Sequence, residues 1–193
     1  MAEYGVVIPV GAFRFRKNIR NAVERAPVSQ LASENFDALI AEFQALDARI
    51  TAIDRKLAAI CRKDERCKRL STLPGVGPVV ATALIAAIDD GRHFASGGAL
   101  AAWIGLVPRQ YTTGGKPRLG GIGKRGNHYL RRQLIHGARS VLIRIAHRND
   151  RRSRWAQDLL ARAGHNRTLV AMANKTARTA WAILRNGENY RAA

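Results

Sequence analysis

Apolar positions in the first half of the chain follow a single rule. Phe36, Leu39, Phe43, Leu46, Ile50, Ile53, Leu57 and Ile60 step alternately by three and four residues over nearly four heptads. That 3.5-residue period holds one apolar seam against a partner helix and drives supercoiling. The spacing predicts a coiled-coil helix over 29–70, through which copies of the chain would form a homo-oligomer; the alternative is one long helix lying on a core. Arg49 and Asp54 would pair across a parallel dimer, whereas Glu42 would face Asp47 unfavourably, so the pairing direction stays open. Ahead of the seam, residues 1–28 begin with the β-leaning run Tyr4-Gly5-Val6-Val7-Ile8-Pro9-Val10. A short extended segment is expected there, then a helix to about Glu24. Pro27 and Ser29 mark the break and the next helix start.

Beyond the seam the pattern changes to glycine, proline and small residues. The run Leu70-Ser71-Thr72-Leu73-Pro74-Gly75-Val76-Gly77-Pro78-Val79-Val80-Ala81 reads as helix, tight Gly-x-Gly turn, and a second helix with Pro in its first turn. A helix-hairpin-helix motif over about 68–90 is expected, its second helix stopping near Asp89-Asp90-Gly91. Gly75 and Gly77 would let the backbone approach a phosphate at that helix's N-terminus, gripping DNA without reading its sequence. A plain helix–helix connection is the alternative. A short helix capped by Ser96 follows and reaches Ile104, with Trp103 expected inward.

Residues 105–127 hold seven of the 17 glycines and no acid. Gly114 and Gly115 would let main-chain amides crowd a phosphate while Arg109, Lys116, Arg118, Lys124 and Arg125 supply charge. This stretch is expected to be irregular or a hairpin, with a flexible linker as the alternative. From His128 a helix is expected to about Ala146, with Leu130, Leu134, Val141, Leu142 and Ile145 inward and Arg131, Arg132, Arg139 and Arg144 outside. Two more helices are expected, about Arg152–Ala163 with Trp155 and Leu159 inward, and Arg167–Arg185. Ala171, Ala173, Ala177 and Ala180 let the last one pack closely, and Asn186-Gly187 ends it. The fold class is therefore mainly α: a coiled-coil helix followed by a helical domain over 71–193 with a central glycine-rich segment.

Composition sharpens the functional reading. The chain has 193 residues, 33 Lys and Arg against 14 Asp and Glu, and a net charge of +19. Residues 1–90 carry 13 basic and 11 acidic side chains, whereas residues 91–193 carry 20 basic and 3 acidic ones. The polyanion-binding surface is thus assigned to the second half, since so many unpaired cations repel one another unless something neutralises them. The longest apolar stretch, Val79–Ile88, contains Thr82 and is too short to span a bilayer, so no membrane role is expected. Cys61 and Cys67, six apart on one expected helix, fall on different faces; neither a disulfide nor a zinc site is expected.

Five motifs occur in order: Leu73-Pro74-Gly75-Val76-Gly77-Pro78, Ala101-Ala102-Trp103-Ile104-Gly105-Leu106-Val107-Pro108, Thr113-Gly114-Gly115-Lys116, Gly121-Ile122-Gly123-Lys124-Arg125-Gly126-Asn127, and Leu130-Arg131. Together they resemble the C-terminal domain of insertion-sequence transposases with a DEDD catalytic domain, the one-ten, eleven-eleven, one-sixteen and nine-oh-two groups. The preceding seam resembles that family's helical dimerisation region.

The resemblance implies DNA as substrate, a guide RNA as further partner, a bacterial, nucleoid-associated cytoplasmic location, and a serine nucleophile in a Ser-Gly step. It also implies an N-terminal RuvC-like domain whose four carboxylates hold Mg2+. This chain is expected to begin where that domain ends, so no cofactor is expected within it. The nucleophile position, five residues beyond Pro108, is Thr113.

A hydroxyl that attacks a phosphodiester keeps the bond energy in a protein–DNA ester, so rejoining consumes no cofactor. Thr113 offers that hydroxyl, but its extra methyl stiffens χ1 and crowds an in-line approach. His128 and His136 are the candidate proton acceptors. Two functions follow: a transposase acting through this hydroxyl, or a truncated transposase that only dimerises and binds nucleic acid. A ribosome- or membrane-associated basic protein would explain the charge but not the motif order.

Overall fold

The computed structural model describes residues 3, 5–123 and 125–191, which form two compact units, Met1–Arg55 and Lys56–Ala193. Among the described residues there are eight α-helices and one two-stranded sheet, so the chain is mainly α as its pattern predicts.

In the first unit, helix α1 (Ala12–Glu24) packs on the early turns of α2 (Gln30–Lys63). Ile19, Val23 and Ile40 are buried, with Ile8, Phe15 and Phe36 packed around them. Phe15 meets Phe43 edge-on at 5.4 Å between ring centroids, and Arg16 reaches Asp47 at 2.5 Å. The seam is therefore divided. Phe36 and Phe43 are partly covered by α1, whereas Leu39, Leu46, Ile50, Ile53 and Ile60 are exposed. Residues 6–9 have no regular structure, and Tyr4 of the same run lies outside the described residues.

The expected single helix over 29–70 is interrupted. Helix α2 ends at Lys63, Asp64 adopts an extended conformation (φ −91°, ψ 118°), and α3 (Glu65–Ser71) starts anew. The Asp64 carboxylate accepts from the Arg66 amide at 2.8 Å, an N-cap contact that competes with helix continuation. Arg66 also pairs with Asp64 and with Asp89, which holds the break in place. Placing Cys61 and Cys67 on separate faces is corrected by the same break: both thiols are free and buried in one core cluster, and Cys61 Sγ lies 3.3 Å from Ser71 Oγ.

The second unit is built around its last helix. Helix α4 (Pro78–Ile88) follows the Thr72–Gly77 connection, and α5 (Gly97–Ile104) is capped by Ser96, whose hydroxyl accepts from the Ala99 amide at 3.1 Å. Strands β1 (Pro108–Thr113) and β2 (Lys116–Ile122) pair antiparallel. Helix α6 (His128–Leu142), a 3-10 turn (Ile145–His147), α7 (Arg151–Ala163) and α8 (His165–Asn186) complete the unit. Asn127 and Asp150 cap α6 and α7.

Helix α8 packs against α3, α5, α6 and α7. Its buried stripe includes Leu169, Met172, Ala173, Ala177, Ala180 and Ile183, and the small residues let neighbours approach closely. A methyl on Gly97 of α5 would lie 2.9 Å from the Arg178 backbone. Leu70, Leu84, Leu100, Ile104, Leu130 and Leu134 fill the core from the other helices. Trp103, expected inward, is instead 40% exposed and meets Phe94 edge-on; its neighbours Leu100, Ala101 and Ile104 take the buried face.

Candidate nucleic-acid interface

Residues 108–122 form an exposed two-stranded ribbon. Gly114 and Gly115 make its two-residue turn with φ of +58° and +76°, backbone angles that glycine adopts without strain and that match the twist of paired strands. Thr113 pairs with Lys116 across this turn, Thr112 with Pro117, and Tyr111 with Arg118. The Thr113 alcohol therefore stands at the tip, in solvent, beside a lysine. Arg109, Lys116 and Arg118 are all exposed along the same ribbon. Nothing stands within 4 Å of where side chains would begin on Gly114, Gly115 or Gly121, so a polyanion can approach the main chain there.

The segment returning from the ribbon is anchored by glycine. Gly126 (φ +95°) lies against the Trp103 carbonyl, and Gly105 (φ +82°) lies against the Arg125 carbonyl. The Arg125 side chain is exposed; Lys124 lies outside the described residues. Arg132 is exposed, its guanidinium 6.0 Å from the Tyr129 ring.

Arg131 needs a correction. Expected on the outer face, it is only 7% exposed. Its guanidinium donates to the Ile104 carbonyl at 3.0 Å and to the Arg125 carbonyl at 3.3 Å, and lies 2.8 Å from His128 Nδ1. The cation satisfies the C-terminal carbonyl of α5 and fixes the base of the segment that carries Arg125. It positions; it is not free to grip a phosphate. The same contact engages His128 through Nδ1, and the His128 side chain is otherwise exposed.

The two glycines of the α3–α4 connection have different surroundings. Gly75 (φ +88°) faces inward, and a methyl there would lie 2.7 Å from the Gly137 carbonyl oxygen in α6. Gly77, by contrast, is exposed at the N-terminus of α4 with nothing within 4 Å. Open backbone donors thus remain at one of the two positions, and the other is consumed by packing.

A second basic surface lies on α8, formed by residues whose sequence pattern does not set them apart. Arg167, Asn174, Lys175 and Arg178 lie on the face of α8 opposite its buried stripe, lining a groove of about 1580 Å³ that also touches the base of β2. Their spacing of three, four and seven residues is a helical face, hidden in the sequence by the alanines interleaved with it. Lys175 Nζ lies 4.4 Å from the Trp155 ring centroid. Burial, then the charges of Arg152, Arg151 and Arg178, hold the Lys175 ammonium below its ordinary pKa.

Among the described residues, no group of three or more His, Cys, Asp or Glu side chains could hold a metal ion. No described helix is long and apolar enough to cross a membrane.

Residues 67–156 match the family model described as Transposase IS116/IS110/IS902 family. Over 67% of this chain and 38% of its own length, a Pseudomonas aeruginosa protein named "Probable family 20 transposase" is 52% identical. The transposase for insertion sequence element IS1111A of Coxiella burnetii is 38% identical over 99% of this chain and 53% of its own length. That for IS1328 of Yersinia enterocolitica is 42% identical over 64% of this chain and 37% of its own. The chain spans about half the length of these relatives, or less.

Proposed function

Because this chain carries a transposase domain of the IS116/IS110/IS902 family at residues 67–156, we propose that it works within an insertion-sequence transposase, holding DNA against its ribbon and presenting the Thr113 hydroxyl to a phosphodiester. The observation that carries this reading is the ribbon tip, where an exposed alcohol stands opposite Lys116 in a stretch without a single acid. In the step itself, the bond from Thr113 Oγ to phosphorus forms as the bond from phosphorus to a deoxyribose oxygen breaks. The departing sugar oxygen takes up a proton, and the threonine proton passes to solvent or a base. Arg109, Lys116 and Arg118 would neutralise the charge that builds on the phosphoryl oxygens.

Gly77, Gly114, Gly115, Lys124, Arg125 and Arg132 would add contacts to the sugar-phosphate backbone, with Gly75 and Arg131 acting through packing. A guide RNA is the further partner in this reading, and bacterial cytoplasm beside the nucleoid the place of action. Two copies would join through the exposed Leu39, Leu46, Ile50, Ile53 and Ile60 of α2.

A second reading, binding without strand transfer, is favoured by one detail: among the described residues Thr113 Oγ has no hydrogen-bond partner to take its proton. One experiment separates the two. The protein is incubated with DNA carrying insertion-sequence ends, and covalent adducts are resolved on a denaturing gel. An adduct that vanishes in Thr113→Ala and persists in Thr113→Ser supports transfer. Binding to duplex DNA without an adduct supports the second reading, with Arg109→Ala or Arg118→Ala each flattening the salt slope by about 0.9. Absence of any nucleic-acid binding defeats both.

A further inference from the structure

The groove along α8 carries a charge problem that the ribbon does not explain. Arg167, Lys175 and Arg178 line it, and none takes part in an ion pair among the described residues. Arg152, one helix away, is buried; it donates through Nη2 to Thr176 Oγ1 at 2.7 Å, and its Nε has no partner. Arg151 adds a fifth cation within electrostatic reach of Lys175, with no acid among the causes acting on that lysine. Like charges gathered this way oppose folding, and a bound polyanion removes the penalty.

Size and lining say which polyanion. The groove, at about 1580 Å³, exceeds the ~300–1,000 Å³ of small-molecule pockets. Between its cations it is walled by Leu106, Leu119, Ile122 and Val170, with Trp155 at its edge. Apolar walls suit base faces, which a duplex keeps stacked inside and a single strand exposes.

We infer that this groove seats a single strand of nucleic acid, with Arg167, Lys175 and Arg178 on its phosphates and its bases against the apolar wall. The inference rests on the reading above that the chain handles nucleic acid. It adds a second seat, at the base of the ribbon and distinct from the alcohol at the tip. Phosphodiester is the chemistry recognised, and DNA and RNA strands are its two sources.

Anisotropy of labelled oligo-dT and oligo-rU of about 15 nucleotides, within the span such grooves cover, and of a matching duplex, is followed from about 50 to 200 mM salt. The Lys175→Gln/Arg178→Gln double variant is expected to lower the single-strand salt slope by about 1.4, two phosphate contacts at about 0.7 each. Lys175→Arg should retain wild-type binding, and thermal melting checks that each variant folds. A larger loss on oligo-dT assigns the seat to DNA, and one on oligo-rU to RNA. Strands carrying 5-iodouracil should crosslink on irradiation to the peptide containing Trp155.

Unchanged slope and affinity in the double variant, a loss confined to duplex, or crosslinks only at the ribbon tip would overturn the groove while leaving the proposed function standing. Failure of the wild-type chain to bind any of the three probes would overturn both.

Discussion

Gly75 and Gly137 meet backbone against backbone. A methyl on Gly75 would lie 2.7 Å from the Gly137 carbonyl oxygen, and one on Gly137 would run into the Gly75 carbonyl in return. The connection between α3 and α4 is thereby seated directly on α6. A main-chain contact cannot step aside as a side chain does, so Gly137→Ala is expected to destabilise the chain by about 1–3 kcal/mol, the range for overpacking. Gly77→Ala, with open space and an extended φ of −98°, should stay within about 1 kcal/mol of wild type. Urea unfolding of the two variants reads the contrast; equal midpoints would sink it.

Arg131 and Arg132 are adjacent and opposite. Removing the Arg131 guanidinium leaves the Ile104 and Arg125 carbonyls without their donor, so Arg131→Ala should cost about 1–3 kcal/mol through buried groups left unsatisfied. Arg132→Ala, on the exposed side, should leave stability within about 0.5 kcal/mol and instead weaken nucleic-acid binding. Paired melting and binding curves test the division.

Asp150 caps α7, accepting from both the Ser153 amide at 3.0 Å and the Ser153 hydroxyl at 2.7 Å. The Ser153 hydroxyl, ahead of backbone amides, holds this carboxyl below its usual value of 3.8. A depressed folded pKa contributes stability that is present above pH 3.8 and lost as pH falls through the folded value. Asp150→Ala should therefore cost about 1 kcal/mol near neutrality, with the gap from wild type closing in acid. A gap that persists below that window would contradict the assignment.

Cys67 shows the reverse sign. Burial, with Cys61 beside it, pushes its thiol from 9.0 up to about 11. A raised folded pKa gives stability that is full below pH 9.0 and declines as pH rises towards 11. Native protein should thus resist iodoacetamide at pH 8 far longer than denatured protein, since thiolate is the nucleophile. Cys67→Ala should flatten the alkaline limb of the stability curve. Rapid modification of Cys67 in the folded chain would show the thiol to be accessible.

Local chemistry that leaves a mark in residue type was legible before any coordinates. Ser96 and the Asp89–Gly91 stop lie where capping and turn rules put them, and the paired glycines at 114 and 115 signal a tight turn. What escaped depended on partners far along the chain. The Asp64 break is hidden because Asp is unremarkable on a helix surface, and its caps are read only once Arg66 and Asp89 converge. Arg131 resembles its exposed neighbour Arg132 in every local respect, and only the α5 carbonyl decides its role. The α8 groove exists because α5 and the base of β2 stand opposite that helix, a juxtaposition no periodicity encodes. The heptad spacing marks the apolar seam, but nothing in it shows that α1 takes up Phe36 and Phe43.

The ribbon makes the position of its terminal alcohol a matter of counting. Strands advance about 3.3 Å per residue and alternate sides at every step. Inserting one residue into each strand would turn the hydroxyl to the opposite side, whereas inserting two would restore its side and carry it roughly 7 Å farther out. Length and facing of this arm can therefore be dialled independently of the helices that support it, so under the proposed function strand length alone would set how far from those helices a bound phosphodiester lies.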